Sequence, residues 1–173
     1  MSTWKALSEI HPNDQALLNA ALACVSAKRR PAQLCIDTVH EGELDSWGRV
    51  DLSSVDAFVG SFWPSAIFCL SADGFRFFLP LLIGVSFLEP EGWYMQRLVD
   101  DIDQWDLLDF SNTDKETTNI TAGILDRMIG ITASQNKTEI EMYPGLSMLT
   151  RLRGVADKSL IVIRNKLRLH GEN

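Results

Sequence analysis

Cysteine and histidine are scarce in this chain of 173 residues. The cysteines are scattered, form no C-x-x-C pair and have apolar neighbours, a pattern that predicts small buried thiols in a reducing compartment rather than disulfides. The few histidines lie in unrelated sequence settings, which disfavours a catalytic Cys-His pair. The residues concerned are Cys24, Cys35, Cys69, His11, His40 and His170.

Long apolar runs are also missing. The longest, residues 75–88, contains Arg76, Pro80 and Gly84 and is shorter than the roughly 20 apolar residues that a membrane span needs. The first ten residues include one lysine and lack the apolar core of a signal peptide. We therefore expect a cytoplasmic protein that makes no membrane contact.

Acidic residues outnumber basic ones, 23 against 16, which gives a formal net charge of -7. The excess is concentrated between residues 41 and 114, where the only basic residues are Arg49, Arg76 and Arg97, whereas the segment from Arg151 onwards is basic. Nucleic-acid binding requires a basic surface, so this distribution argues against a nucleic acid as the main ligand. It permits a basic protein partner.

The densest apolar stretch is residues 71–90, which predicts a central helix buried among other elements. Ser71 is placed to cap this helix, with Asp73 in its first turn. Pro80 lacks the amide hydrogen that would bond the Arg76 carbonyl, so we expect a kink or a break there.

Apolar spacing and turn residues predict a single all-α domain over residues 1–173, with at most a minor short strand. Residues 32–39 are interpreted as a connector and residues 40–51 as an ordered loop. The other predicted helices are residues 12–28, a short helix from Ser53 or Ser54 to Phe62, residues 91–110 as one helix or a broken pair, a helix containing residues 120–131, and residues 146–169.

The segment S-A-D-G-F-R-F-F-L-P-L-L, residues 71–82, resembles a family of small uncharacterised bacterial proteins. Their mark is a Phe-Arg-aromatic-aromatic-Leu-Pro segment that follows a serine-capped turn. The E-G-E-L sequence at residues 41–44 and the region of Trp47 are similar to the acidic loop and tryptophan of that family. The resemblance covers about residues 41–110 and implies a helical fold without assigning an activity; the long basic C-terminal helix departs from the family pattern.

Arg76 is the one charge inside the apolar run. We expect it to pair with Asp73 or another buried carboxylate, or to bond carbonyls freed by Pro80, because a buried guanidinium without partners is costly. The alternative is that Arg76 binds an anionic ligand in a pocket. Arg76 and Pro80 are thus structural candidates.

Two acidic segments, residues 41–45 and 100–109, are the candidate partner-binding surfaces. In the second segment, Asp100, Asp103 and Asp106 have the i, i+3, i+6 spacing that puts carboxylates on one side of a helix. Trp93 and Trp105 are near this segment in the sequence as potential aromatic contacts. The alternatives are a solvated face or, for Trp47, a core position. No His-x-x-Glu or Glu-x-x-His spacing accompanies the acids, so we expect no metal and no cofactor. The candidates are Glu41, Glu43, Asp45, Trp47, Asp100, Asp101, Asp103, Asp106 and Asp109.

Small size, acidity and the lack of recognisable catalytic motifs favour a non-enzymatic protein-binding domain. The concrete hypothesis is a bacterial immunity protein that neutralises a cognate toxin, a basic domain held by charge complementarity and aromatic contacts. One alternative is a helical adaptor or a homo-oligomer that uses the amphipathic C-terminal helix. Another is an enzyme or small-molecule binder with a pocket near Arg76.

Overall fold

The computed structural model describes residues 3–35, 47–61, 69–96, 98, 113–146 and 158–171. Within these ranges all regular structure is helical, and the one strand-type contact is an isolated antiparallel bridge between Cys35 and Leu70. The predicted all-α fold is confirmed. The helices are α1 Pro12–Ser26, α2 Val55–Ser61, α3 Ala72–Gly84, α4 Lys115–Ala133, α5 Lys137–Met142 and α6 Lys158–Gly171, with 3-10 turns at Leu7–Glu9 and Val85–Leu88.

Helix α3 is the predicted central helix. The Ser71 hydroxyl accepts a hydrogen bond from the Gly74 amide at 3.0 Å and donates one to the Gln33 carbonyl at 2.8 Å, so the cap also attaches the helix to the preceding connector. The helix continues through Pro80 to Gly84, so a break at Pro80 is wrong, and the alternative of a kink stays a prediction. Burial explains this continuity, because packing on all sides outweighs the cost of one proline, about 3 kcal/mol.

Every residue from 77 to 89 is buried. Helix α3 packs against α1 on one side and α4 on the other, while α1 and α4 also contact each other. Burying each large apolar side chain contributes about 1.5–3 kcal/mol relative to exposure, so this segment is the main source of core stabilisation. A Cβ at Gly84 would lie 3.5 Å from Ile124 and 3.6 Å from Leu18, distances of ordinary contact between α3 and its two neighbours.

Helix α4 is longer than the predicted residues 120–131, because it begins at an Asp114 cap. Helix α6 packs on α4 and buries Ile163 and Leu167. The predicted helix 146–169 is described as helix at residue 146 and from residue 158, and residues 147–157 lie outside the described residues. Helix α5 was not predicted from the sequence.

All three cysteines are buried as thiols rather than as disulfides, as the sequence predicted. Burial raises the pKa of the Cys35 thiol, which keeps it in the protonated and unreactive form. Among the helices of the described residues, none has the length and apolar character required to cross a membrane.

The first turn of α3 depends on the absence of a side chain at Gly74. A Cβ there would lie 2.3 Å from the Leu34 carbonyl oxygen, which is too close for any real contact. We expect Gly74→Ala to lower the free energy of unfolding by more than 1 kcal/mol, although alanine is the better helix former by about 1 kcal/mol. Urea unfolding measures the change.

Gly123, in the interior of α4, is the matched control. A Cβ at that position meets no atom of the described residues within 4 Å, so Gly123→Ala should raise the free energy of unfolding by about 0.5–1 kcal/mol. Equal effects of the two substitutions would contradict the proposed close approach at Gly74.

Candidate functional site

Most of the predicted partner-binding residues lie outside the described part of the chain. Their arrangement on one surface therefore stays a prediction. These residues are Glu41, Glu43, Asp45, Asp100, Asp101, Asp103, Asp106 and Asp109.

Trp47, the remaining candidate, is fully buried. Its ring lies 5.0 Å from that of Phe78, measured between centroids. The Arg30 guanidinium donates to the carbonyls of Gly48 and Val50, each at 2.8 Å, and so fixes the backbone that follows the tryptophan. This position corresponds to the core alternative, and the indole of Trp47 offers no surface for a partner.

Among the described residues, Trp93 is the large aromatic side chain that faces solvent, with 54% of its surface exposed. It begins a short helical segment whose next residues, Tyr94 and Met95, are both buried. The Tyr94 hydroxyl donates to the Leu82 carbonyl at 2.5 Å, which attaches this segment to α3. Trp93 is therefore presented on a well-fixed backbone directly before the acidic segment that contains residues 100–109.

The carboxylate of Glu89 holds the start of this helical segment. Its oxygens accept hydrogen bonds from the amides of Tyr94 at 2.7 Å and Met95 at 3.0 Å, so two amides at a helix start are satisfied by one buried side chain. Burial raises the pKa of Glu89, although these amide donors oppose the shift. Gly92 lies between Glu89 and Tyr94 in the sequence, and its φ of 84° is a left-handed conformation that favours glycine.

Arg76 makes the predicted ion pair with Asp73. Its Nη1 lies 3.0 Å from an Asp73 carboxylate oxygen, one turn apart on α3. The Arg76 Nε is buried and has no hydrogen-bond partner. The guanidinium is thus only partly satisfied by the pair.

A second polar cluster was not predicted from the sequence. Asp14 of α1 is completely buried and receives two hydrogen bonds from Arg127 of α4, from Nε at 2.8 Å and from Nη2 at 3.2 Å. The Tyr143 hydroxyl also donates to Asp14. Arg127 in turn contacts Glu139 of α5 at 2.6 Å, so one network joins α1, α4, α5 and the residue after α5.

The electrostatics of this network favour the charged pair. The hydrogen bond with Asp14 raises the pKa of Arg127 despite partial burial, which opposes the shift. Burial and the Asp14 carboxylate raise the pKa of Tyr143, so the phenol stays protonated and acts as a donor.

An open cleft of about 680 Å³ borders the network, with His11, Asn136 and Thr138 among its lining residues. Each charged group in the wall has a partner, and we assign the network a structural role.

The start of α4 carries a third polar group. Asp114 caps the helix by accepting from the Thr117 amide at 2.9 Å, and its other oxygen lies 2.6 Å from the Lys28 ammonium. Burial alone would raise the pKa of Asp114, but Lys28 and the Thr117 amide and hydroxyl outweigh it and lower the pKa to about 2. Lys28, the last residue of the predicted helix 12–28, thus links the end of α1 to the start of α4.

In the described residues, no group of three histidine, cysteine, aspartate or glutamate side chains is arranged to hold a metal ion. Comparison with protein-family models, with curated proteins and with solved structures gave no match.

The Asp14–Arg127 pair should be essential for stability. Arg127→Met leaves a fully buried carboxylate without its cation, and we expect a loss of about 3 kcal/mol in the free energy of unfolding. Arg168→Met, which removes an exposed arginine paired with Asp126, should cost less than about 1 kcal/mol. Urea unfolding at neutral pH compares the two.

A double variant tests whether the uncompensated charge of Asp14 causes the loss of stability. Asp14→Asn combined with Arg127→Met removes both charges and keeps an amide oxygen that can accept from Tyr143. We expect the double variant to be more stable than Arg127→Met alone. If the double variant is no more stable than the single one, the uncompensated charge is not the reason for the loss.

Asp114 should make stability depend on pH in the acid range. Its pKa is lower in the folded chain than the value of about 3.9 expected in the unfolded chain, so its stabilising effect is complete above about pH 4 and is lost as the pH falls through 2. Half of the side chain is exposed, so we expect Asp114→Asn to cost less than about 1 kcal/mol at pH 6. Urea unfolding at pH 6 and at pH 2 should show this difference disappear, and a difference independent of pH would contradict the assignment.

Proposed function

We propose that this chain is a non-enzymatic binding protein whose acidic surface engages a basic protein partner. In its concrete form it is a bacterial immunity protein that neutralises a cognate toxin domain. The observation that carries the proposal is Trp93, an exposed tryptophan on a fixed backbone, seven residues before the most acidic segment in the sequence.

Tryptophan is among the side chains that contribute most to protein interfaces, because it buries a large area and orders few torsions. The neighbours of Trp93 are held by buried contacts: Tyr94 through its hydroxyl and Met95 through its amide to Glu89. Little backbone entropy is therefore lost when a partner covers the indole. This preorganisation supports Trp93 as a contact that slows dissociation.

The charge distribution supports the choice of a basic partner. Five aspartates lie in residues 100–109, and the chain as a whole carries a net charge of -7. A field of this sign accelerates encounter with a basic domain and disfavours acidic ones. Residues 100–109 and Trp93 would then have separate roles. The carboxylates would speed association, and the indole would slow dissociation.

Self-association through the C-terminal helix receives less support. The described part of α6 buries Ile163 and Leu167 against the rest of the chain, and Arg164 and Arg168 both reach Asp126 of α4. Its apolar face is thus used within the molecule, and Val162 is its exposed large apolar side chain.

The test uses the protein encoded next to this chain, where a toxin and its immunity protein would be adjacent reading frames. Association and dissociation rates are measured by biolayer interferometry at low and high salt. We expect Asp100→Asn, Asp103→Asn and Asp106→Asn together to slow association about tenfold at low salt and to flatten its salt dependence. Trp93→Ala should accelerate dissociation at least about tenfold.

Matched controls carry the same changes elsewhere on the surface. Glu116→Gln and Glu141→Gln remove exposed charges from α4 and α5, and Val162→Ala truncates an exposed apolar side chain; all three should bind as the wild type does. Unchanged rates in the aspartate and Trp93 variants, or no binding by the wild type, would refute the proposal. Sedimentation of the isolated chain as a stable dimer would favour the self-association alternative.

A further inference from the structure

A small cleft lies where three helix ends meet. The end of α1 contributes Lys28 and Arg29, the start of α3 contributes Asp73 and Arg76, and Asp114 contributes from the cap of α4. Thr113, Pro31 and Phe77 complete its lining, and its volume is about 230 Å³. A water molecule occupies about 30 Å³ in the liquid, so the cleft has room for a small ligand in place of several waters.

Both carboxylates of the cleft are already neutralised. Asp114 lies 2.6 Å from the Lys28 ammonium, and Asp73 lies 3.0 Å from Nη1 of Arg76. Arg29 is a third cation, exposed and with no hydrogen-bond or ion-pair partner within the described residues. Three cations against two carboxylates leave one positive charge in an otherwise acidic protein.

Two buried polar atoms of the same cleft residues lack partners. Arg76 Nε and Thr113 Oγ1 are both inaccessible to solvent and make no hydrogen bond in the structure. Leaving such groups unsatisfied costs about 1–3 kcal/mol each, and more for a charged donor. Both atoms can donate to the oxygens of a carboxylate or a phosphate, and an anion in the cleft reaches them when the atoms that cover them move aside.

The helix directions add to this preference. Helices α3 and α4 both begin at the cleft and α1 ends beside it, so two positive dipole ends and one negative end lie there. Two ion pairs line the cleft, and Phe77 and Pro31 provide apolar walls. The cleft thus combines a net positive charge with unsatisfied donors on its lining residues.

We propose that this cleft is a binding site for a small oxyanion, a carboxylate or phosphate group, held by Arg29, Arg76 and Thr113. Arg29 supplies the free charge. Arg76 supplies a guanidinium already oriented by Asp73, and Thr113 supplies a hydroxyl. The site is separate from Trp93 and does not depend on the proposed protein partner.

The probes are inorganic phosphate and succinate, titrated into the full chain at constant ionic strength set with chloride. Binding is followed by calorimetry and by ¹H–¹⁵N shifts of the amides of residues 28–30, 73–77 and 113–117. We expect at least one probe to saturate with shifts confined to these residues. A response to phosphate alone or to succinate alone assigns the preferred group.

Arg29→Gln and Thr113→Val are the main variants, because the side chain of neither residue has a partner among the described residues whose loss would disturb the fold. Each should weaken binding about tenfold or more, the range expected for a hydrogen bond to a charged group. Lys137→Gln removes one exposed positive charge at the start of α5 and should leave the affinity unchanged. Arg76→Gln should abolish binding, and unfolding in urea checks that this variant is folded.

The proposal is overturned if neither probe binds the wild-type chain saturably at concentrations up to tens of millimolar. It is also overturned if Arg29→Gln and Thr113→Val bind as tightly as the wild type. Equal weakening by Lys137→Gln would mean that the probes respond to total charge rather than to this cleft, and it would contradict the assignment in the same way.

Discussion

The need to cover α3 on every side determines where this molecule can place its charges. From residue 77 to residue 89 each side chain is buried, so the helix cannot present polar groups along its length. Ser86 and Glu89 are the buried polar side chains in this stretch, and the Ser86 hydroxyl has no partner among the described residues. The polar features therefore collect at the two ends: Asp73 and Arg76 before the buried stretch, and Glu89 as its last residue, followed by the exposed Trp93. Both proposed binding sites lie at these ends for the same physical reason.

Two buried carboxylates show different ways of keeping charge inside such a core. Asp14 is satisfied by side chains, the guanidinium of Arg127 and the hydroxyl of Tyr143, which come from elements far apart in the chain. Glu89 is satisfied by the backbone amides of Tyr94 and Met95, only a few residues away. The first arrangement joins helices to one another, and the second fixes the direction of one segment. Loss of a partner in the first should therefore affect the whole fold, whereas the second mainly determines where Trp93 points.

The sequence predicted features whose causes are local. The Ser71 cap, the pair of Asp73 with Arg76 and the buried central helix all depend on residues within a few positions of each other. The role of Asp14 could not be predicted, because its partner is 113 residues away and no short spacing indicates it. A break of α3 at Pro80 was one prediction from local geometry, and tertiary packing outweighs that preference. The environment of Trp47 could not be derived either, since its burial depends on Phe78 and on the Arg30 guanidinium that fixes the following backbone.

The two proposed sites use electrostatics in opposite ways. A net charge of -7 extends an attractive field to a basic partner over about one Debye length, roughly 8 Å at physiological salt, and this long-range effect needs no defined geometry. The same field repels a free anion, so the cleft at Arg76 gains nothing from steering and must depend on short, directed hydrogen bonds. The unsatisfied Nε of Arg76 and the hydroxyl of Thr113 provide such donors once they are uncovered. Ionic strength should therefore act mainly on association at the acidic surface, while donor geometry controls the affinity of the cleft.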